Sequence, residues 1–239
     1  MVECARRAVP FARPADRPAV VAHCAGNAVP GLERSVSEGA DYVEVDLWVR
    51  NGRFEARHER RPLPLPVLVE QWYLRLAPRR PVDLEAVVRR LQARAGMFLD
   101  LKNGGARAAE LLRATLDRYQ PEVPVAVSSQ WWYILREVAA RCPEASVLYS
   151  VDVPAKLALF FSVVEHDPVP AGMSCRAELL TAEVVERAHA RGLAVVAWTV
   201  DDPNWALELA RMGVDGITTH RVREIRGVLE GQANGGDAT

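Results

Sequence analysis

Glu44 and Asp46 alternate with Val43, Val45 and Leu47 in the run Tyr42-Val43-Glu44-Val45-Asp46-Leu47. Successive side chains on a strand point to opposite faces, so the two carboxylates share one face. Two acids on one face of an otherwise apolar strand repel unless a positive charge lies between them, and a divalent cation held by oxygen ligands supplies one. The competing reading is a solvated edge strand with two surface acids. The same alternation puts Asp100 and Lys102 on one face of the run Met97-Phe98-Leu99-Asp100-Leu101-Lys102. Glu44, Asp46 and Asp100 on neighbouring strands would form a hard-cation site, with Lys102 a fixed positive charge beside it. His23 ends the apolar run Ala19-Val20-Val21-Ala22. His58 comes back toward the acids by a hairpin. Two histidines beside a cation and a lysine suit cleavage of a phosphodiester: one takes a proton from the nucleophile, and the other gives one to the leaving oxygen.

The hairpin rests on Asn51-Gly52, a strong two-residue turn signal. Counting back from Arg50 opposite Arg53 sets His58 opposite Val45, beside Asp46 but on the face away from the acids. A bulge at the turn, which Gly52 permits, would correct the facing. Other strand ends carry polar groups too: Ser128, Trp198, Thr219 and His220. Asn27, Ser128, Trp198 and His220 are candidates to touch substrate. Each histidine has a bland alternative: His23 as a hydrogen-bonded core residue, His58 as part of a surface charge cluster with Glu59, Arg60 and Arg61, His220 as a rim residue. Trp131-Trp132 and Trp72-Tyr73 read as packing. Cys24 beside His23 invites a thiol nucleophile, but nothing else points to acyl chemistry.

These residues need a scaffold that brings many strand ends together, and the rest of the chain supplies its rhythm. Residues 32–38 predict a short helix closed by Gly39. Pro62, Pro64 and Pro66 break regular structure, and residues 67–76 read as a loop covering the site. Asp83 caps a helix running to about residue 95, with Gly96 as its stop. Beyond it strands near 97–102, 123–128, 146–151, 172–175, 194–200 and 216–219 alternate with helices near 106–119, 131–141, 155–164, 181–191, 203–212 and 222–229. Residues 155–164 are unusually apolar, a helix or lid that could meet an apolar substrate tail. Leaving out the return strand of the hairpin, eight strands alternate with eight helical segments. This predicts an α/β chain forming a single (β/α)8 barrel with a β-hairpin after its second strand. No GxGxxG follows the first strand, so a dinucleotide-binding sheet is not indicated. The expected division is an irregular N-terminal arm over residues 1–18, the barrel over 19–231 and a polar tail over 232–239.

The chain has 239 residues and is 49% hydrophobic, enough for one large core. Thirty Lys and Arg against 31 Asp and Glu leave a formal charge of -1, with no general pull toward nucleic acid or an anionic membrane. Cys4, Cys24, Cys142 and Cys175 are scattered and read as free thiols. No secretory signal and no run long enough to span a membrane are evident, so a cytoplasmic location is expected, with at most weak lipid contact.

The ordered pieces resemble a family. Ala22-His23, Gly39-Ala40-Asp41 before Glu44-Val45-Asp46, His58-Glu59, Asp100-Leu101-Lys102, Trp198-Thr199-Val200-Asp201 and the run from Gly213 to Thr219 resemble the glycerophosphodiester phosphodiesterases and their relatives, the sphingomyelinase D-type phospholipases. The resemblance implies a (β/α)8 barrel and a Mg²⁺- or Ca²⁺-dependent phosphodiesterase. It implies Glu44, Asp46 and Asp100 as metal ligands, His23 and His58 as the acid/base pair, Lys102 as a phosphate contact and Trp198 as a wall. The substrate would be a glycerophosphodiester or a lysophospholipid. The chain departs from the family pattern where His23-Cys24-Ala25 replaces the common His-Arg-Gly, where Asn27 is the sole nearby amide, and where Asp100 replaces a more frequent Glu. Two other functions follow from these departures: sphingomyelinase D-like release of a cyclic phosphate, and a barrel that binds a phosphorylated ligand without turning it over.

Overall fold

A computed structural model describes residues 8–62, 67–70, 73–77 and 81–235. β1 (Ala19–Ala22) is apolar and buried throughout, as a parallel strand covered on both faces must be. α1 (Val29–Ser37) follows with a proline in its first turn, where a missing N–H costs no helical bond. β2 (Tyr42–Arg50) and β3 (Arg53–Ala56) form the hairpin. β4 (Val67–Glu70) and β5 (Tyr73–Leu76) form a separate antiparallel ribbon. α2 (Leu84–Leu91) starts at Asp83, whose carboxylate accepts from the Ala86 N–H at 2.7 Å. Strict alternation then sets in: β6 (Gly96–Leu101), α3 (Ala106–Tyr119), β7 (Val125–Ser129), α4 (Trp132–Arg141), β8 (Ser146–Val151) and α5 (Pro154–Val163). It continues through β9 (Gly172–Arg176), α6 (Ala182–His189), β10 (Ala194–Trp198), α7 (Pro203–Met212), β11 (Gly216–Thr219) and α8 (Val222–Gly235).

β1, β2 and β6 to β11 pair in parallel, and β11 returns to β1, closing the eight-stranded barrel that the alternation predicts. β3 hangs antiparallel on the far end of β2. The period of two along each strand divides the interior into layers. At the N-terminal end Tyr42, Phe98, Ala126, Leu148 and Val196 form an apolar plug. Two residues further along the same strands stand Asp100, Ser128, Ser150 and Trp198, and these line a cavity at the C-terminal end. Register holds the functional layer level: Asp46 pairs with Asp100, and Asp100 with Ser128.

The described part of the arm, from residue 8, is irregular in backbone but firmly attached. Phe11 stacks on Tyr42 at 5.0 Å and meets Phe98 edge-on, completing the plug from below. Arg17 grips Asp41 with two bonds of 2.6 and 2.9 Å, and the Tyr42 hydroxyl donates to the Ala12 carbonyl. α8 extends to Gly235, beyond the helix end expected near residue 229.

Four expectations are corrected. The hairpin has no bulge at its turn: Asn51 and Gly52 both take positive φ, and Arg50 faces Arg53 and Leu47 faces Ala56 in regular register. Residues 67–76 are a β ribbon where described, rather than a loop; Pro64, Pro66 and Trp72 lie outside the described residues. The helix after Asp83 stops at Leu91, and Gly96 begins β6, where a Cβ would come within 2.6 Å of the Tyr42 ring. α5 is no lid over the cavity. Phe160 and Phe161 are buried, Phe160 edge-on to Trp132 and Tyr149, so its apolar character serves the barrel wall.

Candidate active site

The site begins with β2. Glu44 and Asp46 point into the barrel from one face, as the alternation requires, and Asp100 joins them from β6. Each of the three offers an oxygen within 4.8 Å of the others. Lys102 Nζ lies 2.6 Å from Asp46 Oδ1 and also pairs with Asp100 Oδ2. Burial and its two carboxylate neighbours act oppositely on this ammonium; the carboxylates win, and its pKa is raised. Burial pushes Asp46 up, but Lys102 and Asn27 outweigh it and hold the carboxyl below its usual value. Glu44 accepts from the Cys24 N–H, which does not offset its burial. Burial, reinforced by Asp46 and Asp100, raises its pKa well above the ordinary value.

Three buried carboxylates against one ammonium leave an excess of negative charge in a small volume. The donor set is all oxygen, and it converges. These residues therefore fit a hard divalent cation, with Glu44, Asp46 and Asp100 the groups able to hold it.

His23 follows β1 directly. Its N–H donates to the Thr219 carbonyl, its Nδ1 lies 3.1 Å from Thr199 Oγ1, and its Nε2 lies 3.5 Å from Glu44 Oε2. Burial, then the nearby His220, lowers its pKa to about 4. The His220 ring lies 4.5 Å from that of His23, and Asp201 anchors it through Nδ1 at 2.8 Å. His58 reaches the cavity from the other side. β3 ends at Ala56, Arg57 N–H still donates to the Asp46 carbonyl, and the chain then bends so that His58 lines the acid cavity. A break in the strand beyond Ala56 does what the expected bulge was needed for. His58 Nδ1 lies 2.8 Å from Glu70 Oε2, at the end of β4.

The remaining candidates have different work. Both polar atoms of the Asn27 amide are engaged by Asp46: Nδ2 donates to Oδ2 at 2.6 Å, and Oδ1 accepts from the Asp46 N–H at 2.9 Å. Ser128 donates to Asp100 Oδ1 at 3.2 Å. Both were read as substrate contacts, and both brace metal-ligand candidates. Trp198 lines the cavity, and His220 stands exposed beside His23. Cys24 takes a left-handed backbone conformation, its N–H donating to Glu44 Oε2 and its thiol to Asp46 Oδ2 at 3.2 Å. Burial and the carboxylates of Asp46 and Glu44 push the thiol far up, which keeps it a donor and not a nucleophile. Cys24, Cys142 and Cys175 are free thiols; Cys4 lies outside the described residues.

Two cavities meet here. The inner one, about 260 Å³, holds the acids, Lys102 and both histidines. An outer one of about 690 Å³ shares His58, Lys102 and Gln130 with it and extends under the β4–β5 ribbon to Trp48, Arg60 and Trp131. Sequence reasoning missed Glu70, Thr199 and Asp201 as partners of the histidines, and Arg60 and Trp48 as walls. Thr199 and Asp201 stood inside a motif already singled out. Glu70 carried no signal, because its meeting with His58 depends on a ribbon that was read as loop. Trp132 packs as expected, stacked on Tyr149 at 4.9 Å, whereas Trp131 is exposed on the outer cavity. Among the described residues no helix is long and apolar enough to cross a membrane.

Residues 108–224 match the model of the glycerophosphoryl diester phosphodiesterase family. No curated relative matches the chain. Among solved structures, a phosphodiesterase from Oleispira antarctica, determined in complex with the product sn-glycerol-3-phosphate, superposes with a TM-score of 0.74 at 19% identity, covering 90% of this chain and 97% of that one. A glycerophosphodiester phosphodiesterase from Parabacteroides distasonis gives 0.72 at 21% identity, covering 91% and 99%. One from Agrobacterium tumefaciens gives 0.68 at 17%, covering 88% and 99%. At these identities the superpositions establish a shared barrel. The family match over residues 108–224, just under half of the chain, makes the glycerophosphoryl diester phosphodiesterases the family that this chain resembles in both sequence and fold.

Proposed function

We propose that this protein is a divalent-metal-dependent phosphodiesterase that cleaves a glycerophosphodiester or a lysophospholipid-type diester with two histidines. The observation that carries the reading is the convergence of Glu44, Asp46 and Asp100 within 4.8 Å of one another, in a cavity lined also by His23, His58 and Lys102. A bound Mg²⁺ or Ca²⁺ would supply Lewis-acid stabilisation of the charge that builds on the phosphoryl oxygens. Lys102 adds a fixed positive charge at the same place. Thr199 and Glu70 orient the two imidazoles through their Nδ1 atoms, leaving each Nε2 for proton exchange. One imidazole takes the proton of the attacking water as the new P–O bond forms. The other gives a proton to the alcohol oxygen as the old P–O bond breaks. The Oleispira relative was determined with sn-glycerol-3-phosphate as product, which supports a glycerol phosphate product here.

Phosphorus NMR of a phosphodiester panel with Mg²⁺, Ca²⁺ or chelator tests the proposal. Glycerol 3-phosphate should form with metal and not with chelator. A cyclic phosphate would show internal attack by a substrate hydroxyl instead. Absence of any product across the panel would overturn the reading.

A further inference from the structure

The outer cavity is donor-rich, and Arg60, Trp48 and Gln130 each bring to it a donor with no partner among the described residues. Arg60 lines it, and its guanidinium has no ion-pair partner among the described residues. Trp48 also lines it, and the Trp48 indole N–H is buried without a hydrogen-bond partner among the described residues; such a donor is costly unless something satisfies it. Gln130 accepts from Lys156 through Oε1, which leaves its amide NH₂ as the group still on offer. The acceptor side is closed. Glu70, the carboxylate of this cavity, is engaged by His58. Trp48 already carries the Arg57 guanidinium over its ring, 4.8 Å from the centroid, so that face is not open to a quaternary ammonium.

Size adds to this. The inner cavity of about 260 Å³ suits a phosphoryl group, and the outer one of about 690 Å³ has the volume of a full ligand site. The two share His58 and Lys102, so one diester can reach from one to the other. We propose that the outer cavity binds a substrate alcohol carrying a second anionic group, a carboxylate or a phosphate, and that Arg60 is the residue that selects it. This rests on the phosphodiesterase reading above and names the substrate class for it.

Binding and turnover separate the two. Calorimetry compares inositol 1,4-bisphosphate with inositol 1-phosphate on the wild type, Arg60→Ala and Arg60→Lys. The second phosphate should tighten binding by about tenfold or more in the wild type. Arg60→Ala should lose that gain, and Arg60→Lys should keep part of it. Equal affinities in the wild type, or a gain that survives in Arg60→Ala, would overturn the inference. In turnover, glycerophosphoinositol 4-phosphate should be preferred over glycerophosphoinositol and glycerophosphocholine through KM, and Arg60→Ala should bring that ratio toward one. If the wild type cleaves none of the three while the calorimetric gain stands, the phosphodiesterase reading falls and the selectivity of the cavity is upheld.

Discussion

His58 Nδ1 and Glu70 Oε2 lie 2.8 Å apart although one follows the β2–β3 hairpin and the other ends a strand of the separate β4–β5 ribbon. The ribbon is tied to the same segment by Arg60 and Val69, which exchange backbone hydrogen bonds of 3.0 and 2.7 Å. Fixing Nδ1 sets which nitrogen of His58 faces the cavity. Glu70→Gln keeps the shape but can favour the wrong tautomer. It should lower kcat on the order of tenfold to hundredfold, with metal affinity retained. Nitrogen NMR of the His58 ring should show the tautomer shift. An unchanged tautomer with full activity would reduce the pair to a surface contact.

His23 and His58 line the same cavity as the acids, and their separate loss should tell which is base and which is acid. His23→Ala and His58→Ala should each lose on the order of 10²–10⁴ in rate while still binding metal. A p-nitrophenyl phosphodiester, with its good leaving group, should rescue the variant that lacks the acid and leave the other inactive. If His58→Ala stays fully active, the exposed His220, 4.5 Å from His23 ring to ring, becomes the candidate acid.

Much of this was legible in the chain because it depends on period and turn chemistry. The two-residue alternation placed Glu44 with Asp46 and Asp100 with Lys102 on shared faces, and the barrel brings these faces together. Asn51-Gly52 set the hairpin register to the residue. What was not legible depends on contacts between distant segments. The facing of His58 is decided where β3 ends, against Val82 and Asp46, and no local signal announces that end. Ser128 looked like a substrate group because polar residues at strand ends usually face ligands, and Asn27 because it is the amide nearest His23 in the chain. Here Asp46 and Asp100 lie within reach and engage them first.

The carboxylate cluster makes metal binding testable without turnover. Wild type should bind one Mg²⁺ or Ca²⁺ by calorimetry, and Asp46→Ala should lose most of that affinity. Asn27→Ala should weaken it less, since Asn27 only orients the Asp46 carboxylate. Equal binding by wild type and Asp46→Ala would place any ion elsewhere.

Phe160 decides what α5 is for. Its side chain is fully buried, edge-on to Trp132 and Tyr149 at 6.4 Å and to Phe161 at 5.5 Å. Truncating a buried Phe removes its transfer energy and leaves a cavity, a cost of about 3–5 kcal/mol. For a chain of 239 residues this corresponds to a melting temperature lower by on the order of 10 °C. Phe160→Ala should show that shift in calorimetry. At a temperature where the variant remains folded, its rates on short glycerophosphodiesters and on long-chain lysophospholipids should change by the same factor. A selective loss on long-chain substrates with an unmoved melting temperature would mean that this helix meets the acyl chain, and that the burial of Phe160 is not what holds it there.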